Sequence, residues 1–383
     1  MRIALFSHFY FPTVNGVVTA MENLRRGLTQ LGHDVYVFAP KARNYLYPSD
    51  CKIVNFPSIN IRAKGVFLPL PITFSPKIFK MIKEANFDII HTQHPFYVGE
   101  SAHFYAKRFN IPLIFTFHTQ YDRYTLSYLP FLPEEITLRT VNKYLQDFVS
   151  RCNGIIIPTK EIKRSYFKNL KSNFEIIPSG IDIAKFRGKT KIDRKKFSIS
   201  ENQIILLTAG RVAKEKNIEF LIKAFKLIQM RNSRVILFIV GDGPAKKDLE
   251  KSVYKLKLED KIIFTGEMPY QEMPNYFQMA DIFVYTCITD VQPQILVEAS
   301  AAGLPIIAID SPDKKFIIKN GYNGILVPNK TELFANEVLK IITDTELRKN
   351  LSSNALKAVQ KFSYLESARK IVRFYRQISK SYS

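Results

Sequence analysis

The chain alternates short apolar runs with stretches whose apolar residues recur at helical spacing. Ile3–Phe6 is apolar, a turn follows, and Val17–Leu31 carries apolar residues on one helical face before stopping at Gly32. The next apolar run is Val35–Ala39. This order of strand, loop, helix and strand predicts the start of a parallel α/β sheet.

The same unit recurs along the rest of the chain. In the first half, further strands are predicted at Asp88–His91, Leu113–Phe117, Gly154–Ile157 and Glu175–Ile177. The pattern then restarts with a strand at Ile204–Ala209, a loop at Gly210–Asn217, a helix at Ile218–Met230, and strands at Val235–Val240, Lys261–Phe264, Ile282–Tyr285, Pro305–Ile309 and Gly324–Val327. Helices are expected from about Thr331 to the end.

A break in the pattern at Pro178–Asp182, followed by the polar, Lys-rich segment Lys185–Lys196, predicts a domain boundary. A length of 383 residues also favours two domains. We expect one doubly wound domain at residues 1–181 and a second at 182–363, with the final helix, about 364–383, packing back on the first. Ligands of such sheets bind beyond the carboxyl ends of the strands, so the cleft between the domains is the expected site.

The formal net charge of +22 leaves several partners open. A positive charge would suit binding to nucleic acid, to an anionic membrane surface or to a phosphorylated ligand. A Lys- and Ile-rich composition that reflects genome bias would explain the charge equally well. The absence of a recognisable nucleic-acid-binding module counts against the first of these. No apolar stretch approaches the roughly 18 residues of a membrane span, and the N-terminal run is too short for a signal peptide. Together with three scattered cysteines, these features indicate a cytoplasmic protein.

Two carboxylates, Asp290 and Glu298, lie eight positions apart, with Ile295 and Leu296 between them and a stop signal at Gly303. A loop acid and an acid at a helix start could converge on one polar ligand. The spacing alone fits a solvated loop aspartate and a surface glutamate equally well.

Arg211 and Lys216 lie in the loop between a predicted strand and the helix that starts at Ile218. Both could reach a diphosphate, aided by the helix dipole, although a solvated charge cluster is the alternative. Gly16 and Gly241 lie in turns that could let the backbone approach a phosphate or sugar, or that are ordinary tight turns.

His118 lies just past a predicted strand, where polar site residues are found in such sheets, although a lone histidine is often structural. His91 and His94 follow another strand, but no carboxylate or cysteine at ligand spacing accompanies them. A metal site is therefore not expected.

Taken together, these pieces resemble glycosyltransferase family 4, whose members have the GT-B fold of two doubly wound, Rossmann-like domains facing across a cleft. The resemblance rests on the order and spacing of Asn15-Gly16, His118, Ile177–Asp182, Gly210–Asn217, Val240–Pro244, Phe264–Gly266 and the acid pair Asp290 and Glu298. It implies retaining transfer of a hexose from a nucleoside diphosphate sugar without a required metal or other cofactor.

The resemblance also implies roles for individual residues. Glu298 would hold the ribose hydroxyls, Gly16 would let the first domain close onto the diphosphate, and His118 would contact the donor sugar. Arg211 and Lys216 would neutralise the leaving group, in agreement with the need for cationic groups where no metal stabilises the developing charge. Further donor-site residues are implied at Asp290, Gly241, Gly266 and Ile295.

Two departures bear on the donor sugar. The first acid of this family is usually Glu, where this chain has Asp290, and a common Gly-Leu is replaced by Pro293-Gln294. Because proline lacks an N–H, one possible backbone donor to the ligand is absent.

The acceptor is implied by a narrower resemblance, to the bacterial diacylglycerol glucosyltransferases, in His118–Tyr124, Tyr128 and the Gly16-Val-Val entry. We therefore expect transfer of glucose from UDP-glucose to a membrane lipid such as 1,2-diacylglycerol. Basic and apolar residues mix in Ile61–Pro71 and Lys77–Lys83, which suits peripheral binding to an anionic inner membrane face or, alternatively, a helix with a solvated basic face. A soluble sugar or polysaccharide acceptor, a non-catalytic sugar-nucleotide binder and a nucleic-acid-binding protein remain as alternatives.

Overall fold

A computed structural model describes residues 1–13, 15–41, 45–63, 66–72, 75–121, 125, 133–169, 172–188, 192, 194–288, 290 and 292–382, with the backbone alone at 58–63 and 66–71. The chain divides into two compact units. The first comprises residues 1–180 together with the C-terminal residues from Tyr364 onward, and the second comprises residues 181–363.

The first unit is built on a seven-stranded parallel sheet in the order β3-β2-β1-β6-β7-β8-β9. Its strands are β1 Arg2–Phe6, β2 Asp34–Pro40, β3 Lys52–Phe56, β6 Ile89–Thr92, β7 Leu113–Thr116, β8 Gly154–Ile157 and β9 Asn173–Ile176. Between β3 and β6, the strands β4 Ser58–Ala63 and β5 Val66–Pro71 pair antiparallel as a separate hairpin. The strand order reverses direction between β1 and β6, which makes their carboxyl ends a topological switch point.

Helices of the first unit are α1 Gly16–Gln30, α2 Pro76–Ala85, α3 Val98–Phe109, α4 Glu134–Ser150, α5 Lys160–Tyr166 and, from the end of the chain, α12 Tyr364–Tyr382. The side chain of Asn15 caps α1 by accepting a hydrogen bond from the backbone N–H of Val18 at 2.9 Å. Buried residues of α1 and α12, among them Leu28 and Tyr375, share one apolar core with the strands.

The second unit has a six-stranded parallel sheet in the order β12-β11-β10-β13-β14-β15. Its strands are β10 Ile204–Ala209, β11 Val235–Val240, β12 Ile262–Gly266, β13 Ile282–Tyr285, β14 Ile306–Ile309 and β15 Ile325–Val327. Its helices are α6 Ile218–Arg231, α7 Lys246–Lys255, α8 Met273–Met279, α9 Gln294–Ala301, α10 Thr331–Thr343 and α11 Thr345–Ala358. This strand order is that of a Rossmann-like dinucleotide-binding sheet, with its switch point between β10 and β13.

Several elements differ from the sequence-based expectation. The strands β3, β4 and β5 and the helices α4, α5, α7 and α8 were not predicted, and predicted strand ends differ by one or two residues, so that Phe117 lies beyond β7. Edge strand β3 mixes polar and apolar residues, which weakens the pattern of a strand buried on both faces. No helix within the described residues is long and apolar enough to cross a membrane.

Candidate active site

The switch point of the second unit gathers polar side chains around a recess of about 260 Å³. Gly210 and Arg211 follow β10, Tyr285 ends β13, and Lys216 comes from the loop that leads into α6. Two hydrogen bonds tie that loop to the end of β13: Thr286 donates to the carbonyl of Lys216 at 3.0 Å, and the amide of Asn217 donates to the carbonyl of Thr286 at 3.4 Å. The loop geometry is therefore fixed by the strand beside it.

Lys216 and Asp290 form a bidentate ion pair at this recess. The ammonium group lies 2.9 Å from each carboxylate oxygen of Asp290, and the hydroxyl of Tyr285 donates to the same carboxylate. Their side chains are only 25% and 26% exposed, so Asp290 is a partly buried, ion-paired loop residue. Burial opposes the charged form of Lys216, but the carboxylate of Asp290, together with Cys287 and Glu215, outweighs it and raises the pKa of the lysine.

Arg211 is more exposed than Lys216, at 42% of its side chain. Its guanidinium pairs with Glu215, one helical turn further along the loop. An exposed pair of this kind contributes little to stability. Both cations at the recess therefore have a carboxylate partner within the unit, and an incoming anion would compete with those partners.

Glu298 lies in the middle of α9, four residues after its first residue, not at the helix start as expected from the sequence. Its side chain is 4% exposed, which also excludes the alternative of a surface glutamate. The hydroxyl of Tyr270 donates to Glu298 at 2.9 Å, and the ammonium of Lys185 lies 5.5 Å from the centre of the Tyr270 ring. Burial raises the pKa of Glu298 to about 7, against the opposing effects of the Tyr270 hydrogen bond and the Lys185 charge.

The glycine turns are of two kinds. Gly241 has a φ of +134°, and a Cβ added there would lie 2.0 Å from the carbonyl oxygen of Gly210, so the fold itself requires glycine. Its N–H donates to the carbonyl of Gly266 at 2.9 Å, which joins the loops after β11 and β12. By contrast, a Cβ on Gly16 would meet nothing within 4 Å among the described atoms, so the fold leaves the space above the start of α1 open.

In the first unit, His118 follows β7 and lies beside the residues that follow β6. The side-chain oxygen of Gln93 lies 2.7 Å from Nε2 of His118, and burial lowers the pKa of His118 to about 4. His91 is fully buried, with Tyr375 at 2.6 Å from one ring nitrogen and Thr116 at 2.7 Å from the other. The structure therefore gives His91 a packing role and leaves His118 half-buried at the strand end.

Comparison with known proteins places the chain in a family. A model described as "Glycosyltransferase Family 4" matches residues 14–185, and one described as "Glycosyl transferases group 1" matches residues 189–358. An alpha-monoglucosyldiacylglycerol synthase from Acholeplasma laidlawii is 32% identical over 93% of this chain and 92% of its own length. The chain belongs to glycosyltransferase family 4. A synthase of the same description from Streptococcus pneumoniae is 31% identical over 93% of this chain and 82% of its own length.

The fold of this glycosyltransferase is GT-B, as expected from the sequence. The crystal structure of Anabaena Alr3699/HepE in complex with UDP superposes with a TM-score of 0.78, covering 98% of this chain and 100% of that one at 18% identity. At this identity the likeness concerns the fold. The family membership makes the chain a hexosyltransferase that uses a nucleotide-sugar donor.

Three polar partners in the glycosyltransferase were missed by the sequence analysis: Gln93, Tyr270 and Tyr285. Gln93 follows β6 directly and Tyr285 ends β13, so both occupy strand ends that the sheet pattern could have singled out. Tyr270 reaches Glu298 from 28 residues away along the chain, a contact for which the sequence carries no signal.

Other predicted site residues can be placed only in part. Ile295 is half-buried in the first turn of α9. Residues 122–124, Tyr128 and Lys64, which entered the acceptor and membrane predictions, lie outside the described residues, as do the side chains of 58–71. Within the described part of the chain, no three His, Cys, Asp or Glu residues are grouped so as to hold a metal ion.

Proposed function

We propose that this enzyme transfers glucose from UDP-glucose, with retention of configuration, to a diacylglycerol-type lipid at the inner face of the cell membrane. The observation that carries the proposal is the similarity, at 31% and 32% identity over 93% of the chain, to two alpha-monoglucosyldiacylglycerol synthases. The UDP bound by HepE, a protein of the same fold, is consistent with a uridine nucleotide.

The second unit would hold the donor. Glu298, buried in α9, accepts hydrogen bonds from the ribose hydroxyls, and Lys216 and Arg211 bind the diphosphate. Because the diphosphate gains charge as the glycosidic bond breaks, these cations stabilise the transition state more than the ground state. Lys216 would then contact two anions, the diphosphate and Asp290, since Asp290 already lies 2.9 Å from its ammonium group.

Transfer with retention needs no protein base in this proposal. The bond between the anomeric carbon and the diphosphate breaks, the acceptor hydroxyl oxygen bonds to that carbon on the same face, and its proton passes to the leaving phosphate oxygen. His118 lies against the donor sugar, and Gly16 leaves room for the diphosphate at the start of α1. Asp290, with the hydroxyl of Tyr285 bound to it, is the carboxylate available to a sugar hydroxyl once Lys216 turns to the phosphate.

The helix α2 supports peripheral binding to an anionic surface. Lys77, Lys80 and Lys83 are exposed along one side, while Ile78 and Ile82 on the other side are buried in the unit. Phe79, an apolar residue of the same segment, packs on Phe109 with ring centres 4.9 Å apart. The contribution of α2 is therefore electrostatic, worth about 1 kcal/mol for each basic residue at the surface.

The test is a transfer assay of UDP- and GDP-sugars against vesicles containing diacylglycerol and against soluble glycosides, with products identified by mass spectrometry and their anomeric configuration by NMR. We expect an α-glucosyl lipid from UDP-glucose, formed much more slowly by the Lys216→Ala variant. Transfer to soluble glycosides alone would replace the lipid acceptor with a soluble one, and a β-linked product would exclude retention.

A further inference from the structure

Gln93 has a buried side-chain amide whose oxygen is hydrogen-bonded to the candidate sugar-binding histidine. It follows β6 directly and its side chain is 1% exposed. Its Oε1 lies 2.7 Å from Nε2 of His118. Both residues line a recess of about 360 Å³ in the first unit, together with Thr116, Ser179 and Gly180.

The other end of the Gln93 amide is not satisfied by the fold. Among the described residues, no hydrogen-bond partner reaches its Nε2 atom, which is buried. Burying an amide group without a partner costs free energy, and an apolar side chain of similar size would avoid that cost. Packing alone therefore does not account for glutamine at this position, and its bond to His118 does.

The bond to Gln93 determines which ring nitrogen of His118 carries the proton. A carbonyl oxygen only accepts, so Nε2 is the protonated nitrogen and Nδ1 keeps its lone pair. Burial lowers the pKa of the ring to about 4, so the imidazole is neutral near pH 7. No hydrogen bond from the described part of the chain reaches Nδ1. The ring therefore offers one free acceptor.

The neighbouring His91 shows the contrast. Both of its nitrogens are within hydrogen-bond distance of protein hydroxyls, those of Tyr375 and Thr116, so it has no atom left for a ligand. His118 has one nitrogen held by the protein and one free.

We propose that Gln93 is a positioning residue that holds His118 in its Nε2–H tautomer, so that Nδ1 accepts a hydrogen bond from a hydroxyl group of the donor sugar. This inference rests on the proposed placement of His118 at the sugar. Loss of Gln93 would let the proton move to Nδ1, which would then present a donor where an acceptor is needed.

The tautomer can be measured without any substrate. We would label the full-length protein with ¹⁵N-histidine and record long-range ¹H–¹⁵N spectra. The signals of His118 among those of the six histidines are the ones that disappear in the His118→Gln variant. We expect Nε2 of His118 to give a protonated-type shift and Nδ1 an unprotonated one. In Gln93→Met, which keeps the chain length but has no carbonyl, both shifts should move towards intermediate values.

Thr116→Val is the matched control, because Thr116 lines the same recess but bonds to His91. It should alter the His91 signals and leave those of His118 unchanged. A wild-type His118 protonated at Nδ1, or a Gln93→Met variant with unchanged His118 shifts, would overturn the proposal. If the variant fails to fold, a wild-type His118 protonated at Nδ1 would still overturn the proposal.

Kinetics separate this proposal from the proposed function. In Gln93→Met, where the tautomer of His118 is no longer fixed, we expect kcat to fall about tenfold, the equivalent of roughly one lost hydrogen bond. The Kd for UDP should stay within twofold of wild type. If the tautomer of His118 changes but kcat does not, His118 does not contact the sugar, and the catalytic part of the proposal is overturned. Loss of UDP binding would instead give Gln93 a structural role.

Discussion

Glu298 lies in an environment very different from that of a free carboxyl group. It is buried in α9, and its pKa of about 7 means that it is largely protonated below neutral pH. Only the ionised carboxylate offers acceptors on both oxygens to a pair of ribose hydroxyls. Donor binding should therefore depend on the ionisation of this group.

We predict that the affinity for UDP-glucose rises as the pH increases from 6 to 8. The sign follows from burial, which raises the pKa of Glu298, so that the charged form appears only as the pH passes about 7. Glu298→Gln should bind more weakly, by about 1.5–3 kcal/mol for lost charge-assisted bonds, and show no such pH dependence. Calorimetry at both pH values tests this, and equal wild-type affinities at pH 6 and 8 would contradict it.

The ionisation of Glu298 should have the opposite effect on the stability of the free protein, which should fall as the pH rises. Folding disfavours the charged form, so the native state binds more protons than the unfolded state between the ordinary pKa of 4.5 and about 7. Stability contributed by protonated Glu298 is therefore lost as the pH rises through that window. We expect Glu298→Gln to raise Tm relative to wild type at pH 8 but not at pH 4, measured by calorimetry without ligand.

Lys216 and Arg211 should act together on the leaving group. Each alanine variant should raise the barrier of kcat/KM by about 2–4 kcal/mol, by analogy with a lost oxyanion donor. Because both would contact one diphosphate, the double variant should cost less than the sum of the two single variants.

Lys223→Ala is the matched control for those two variants. Lys223 forms an exposed pair with Glu219 on α6, close in the chain to Lys216. Removing such a surface pair should leave kcat/KM within about twofold of wild type. Additive losses at Arg211 and Lys216 would indicate that the two residues do not share a ligand.

The sequence allowed Arg211, Lys216 and His118 to be placed after strands because their strands read as continuous apolar runs. Their partners could not be predicted in the same way. The position of Glu298 within its helix depends on where α9 begins, and the helix begins at Gln294, directly after the N-cap residue Pro293, rather than at the acid. The pairings of Lys216 with Asp290 and of Glu298 with Tyr270 are tertiary contacts, which local spacing does not encode.

At the scale of elements, the loops after β10, β11 and β12 form one hydrogen-bonded group. Gly210 donates to Val240, Gly241 donates to Gly266, and Val212 donates to Asp242 through their backbones. The recess that holds Arg211 and Lys216 borders this group. The shape of the recess therefore depends on close backbone contact at Gly241.

We predict that Gly241→Ala destabilises the second unit by about 2–4 kcal/mol, the combined cost of a positive φ and a backbone clash. Its Cβ would lie 2.0 Å from the oxygen of Gly210. Gly188→Ala is the matched control, since Gly188 has a φ of +141° but an added Cβ there would meet no described atom within 4 Å. Urea denaturation should give a smaller loss for Gly188→Ala, and equal losses would show that the clash contributes nothing.

Strands buried on both faces were predicted with accurate bounds. The strands β10, β11, β13 and β14 are buried and almost entirely apolar, and their positions follow from the chain to within a residue or two. The hairpin of β4 and β5 pairs only with itself, and its prolines and basic residues interrupt any alternation. Its form is set by pairing, which a search for apolar runs does not detect.

At the scale of the whole molecule, the proposed lipid-binding role gives a function to part of the net charge of +22, namely the exposed lysines of α2. The exposed lysines of α2, which are Lys77, Lys80 and Lys83, lie on a helix whose opposite side is anchored in the first unit. Lys80 also lies 3.9 Å from Glu84, a weak surface contact that an anionic surface can replace. Binding through such a face is electrostatic and should be screened by salt.

We therefore predict that the protein sediments with anionic vesicles at low salt and is released as salt is raised, and that reversing Lys77, Lys80 and Lys83 to Glu abolishes this binding. Each lysine contributes about 1 kcal/mol near the surface, so the loss of three is enough to detach a reversibly bound protein.

The matched control reverses Lys247, Lys251 and Lys255, which are exposed on α7 of the second unit, and so makes the same change in net charge away from α2. We expect the control to keep most of the binding and both variants to hydrolyse UDP-glucose at the wild-type rate. Equal losses in the two variants would mean that net charge, and not α2, binds the vesicle. A wild-type protein that ignores anionic vesicles at low salt would remove the electrostatic basis for a membrane acceptor and favour a soluble one.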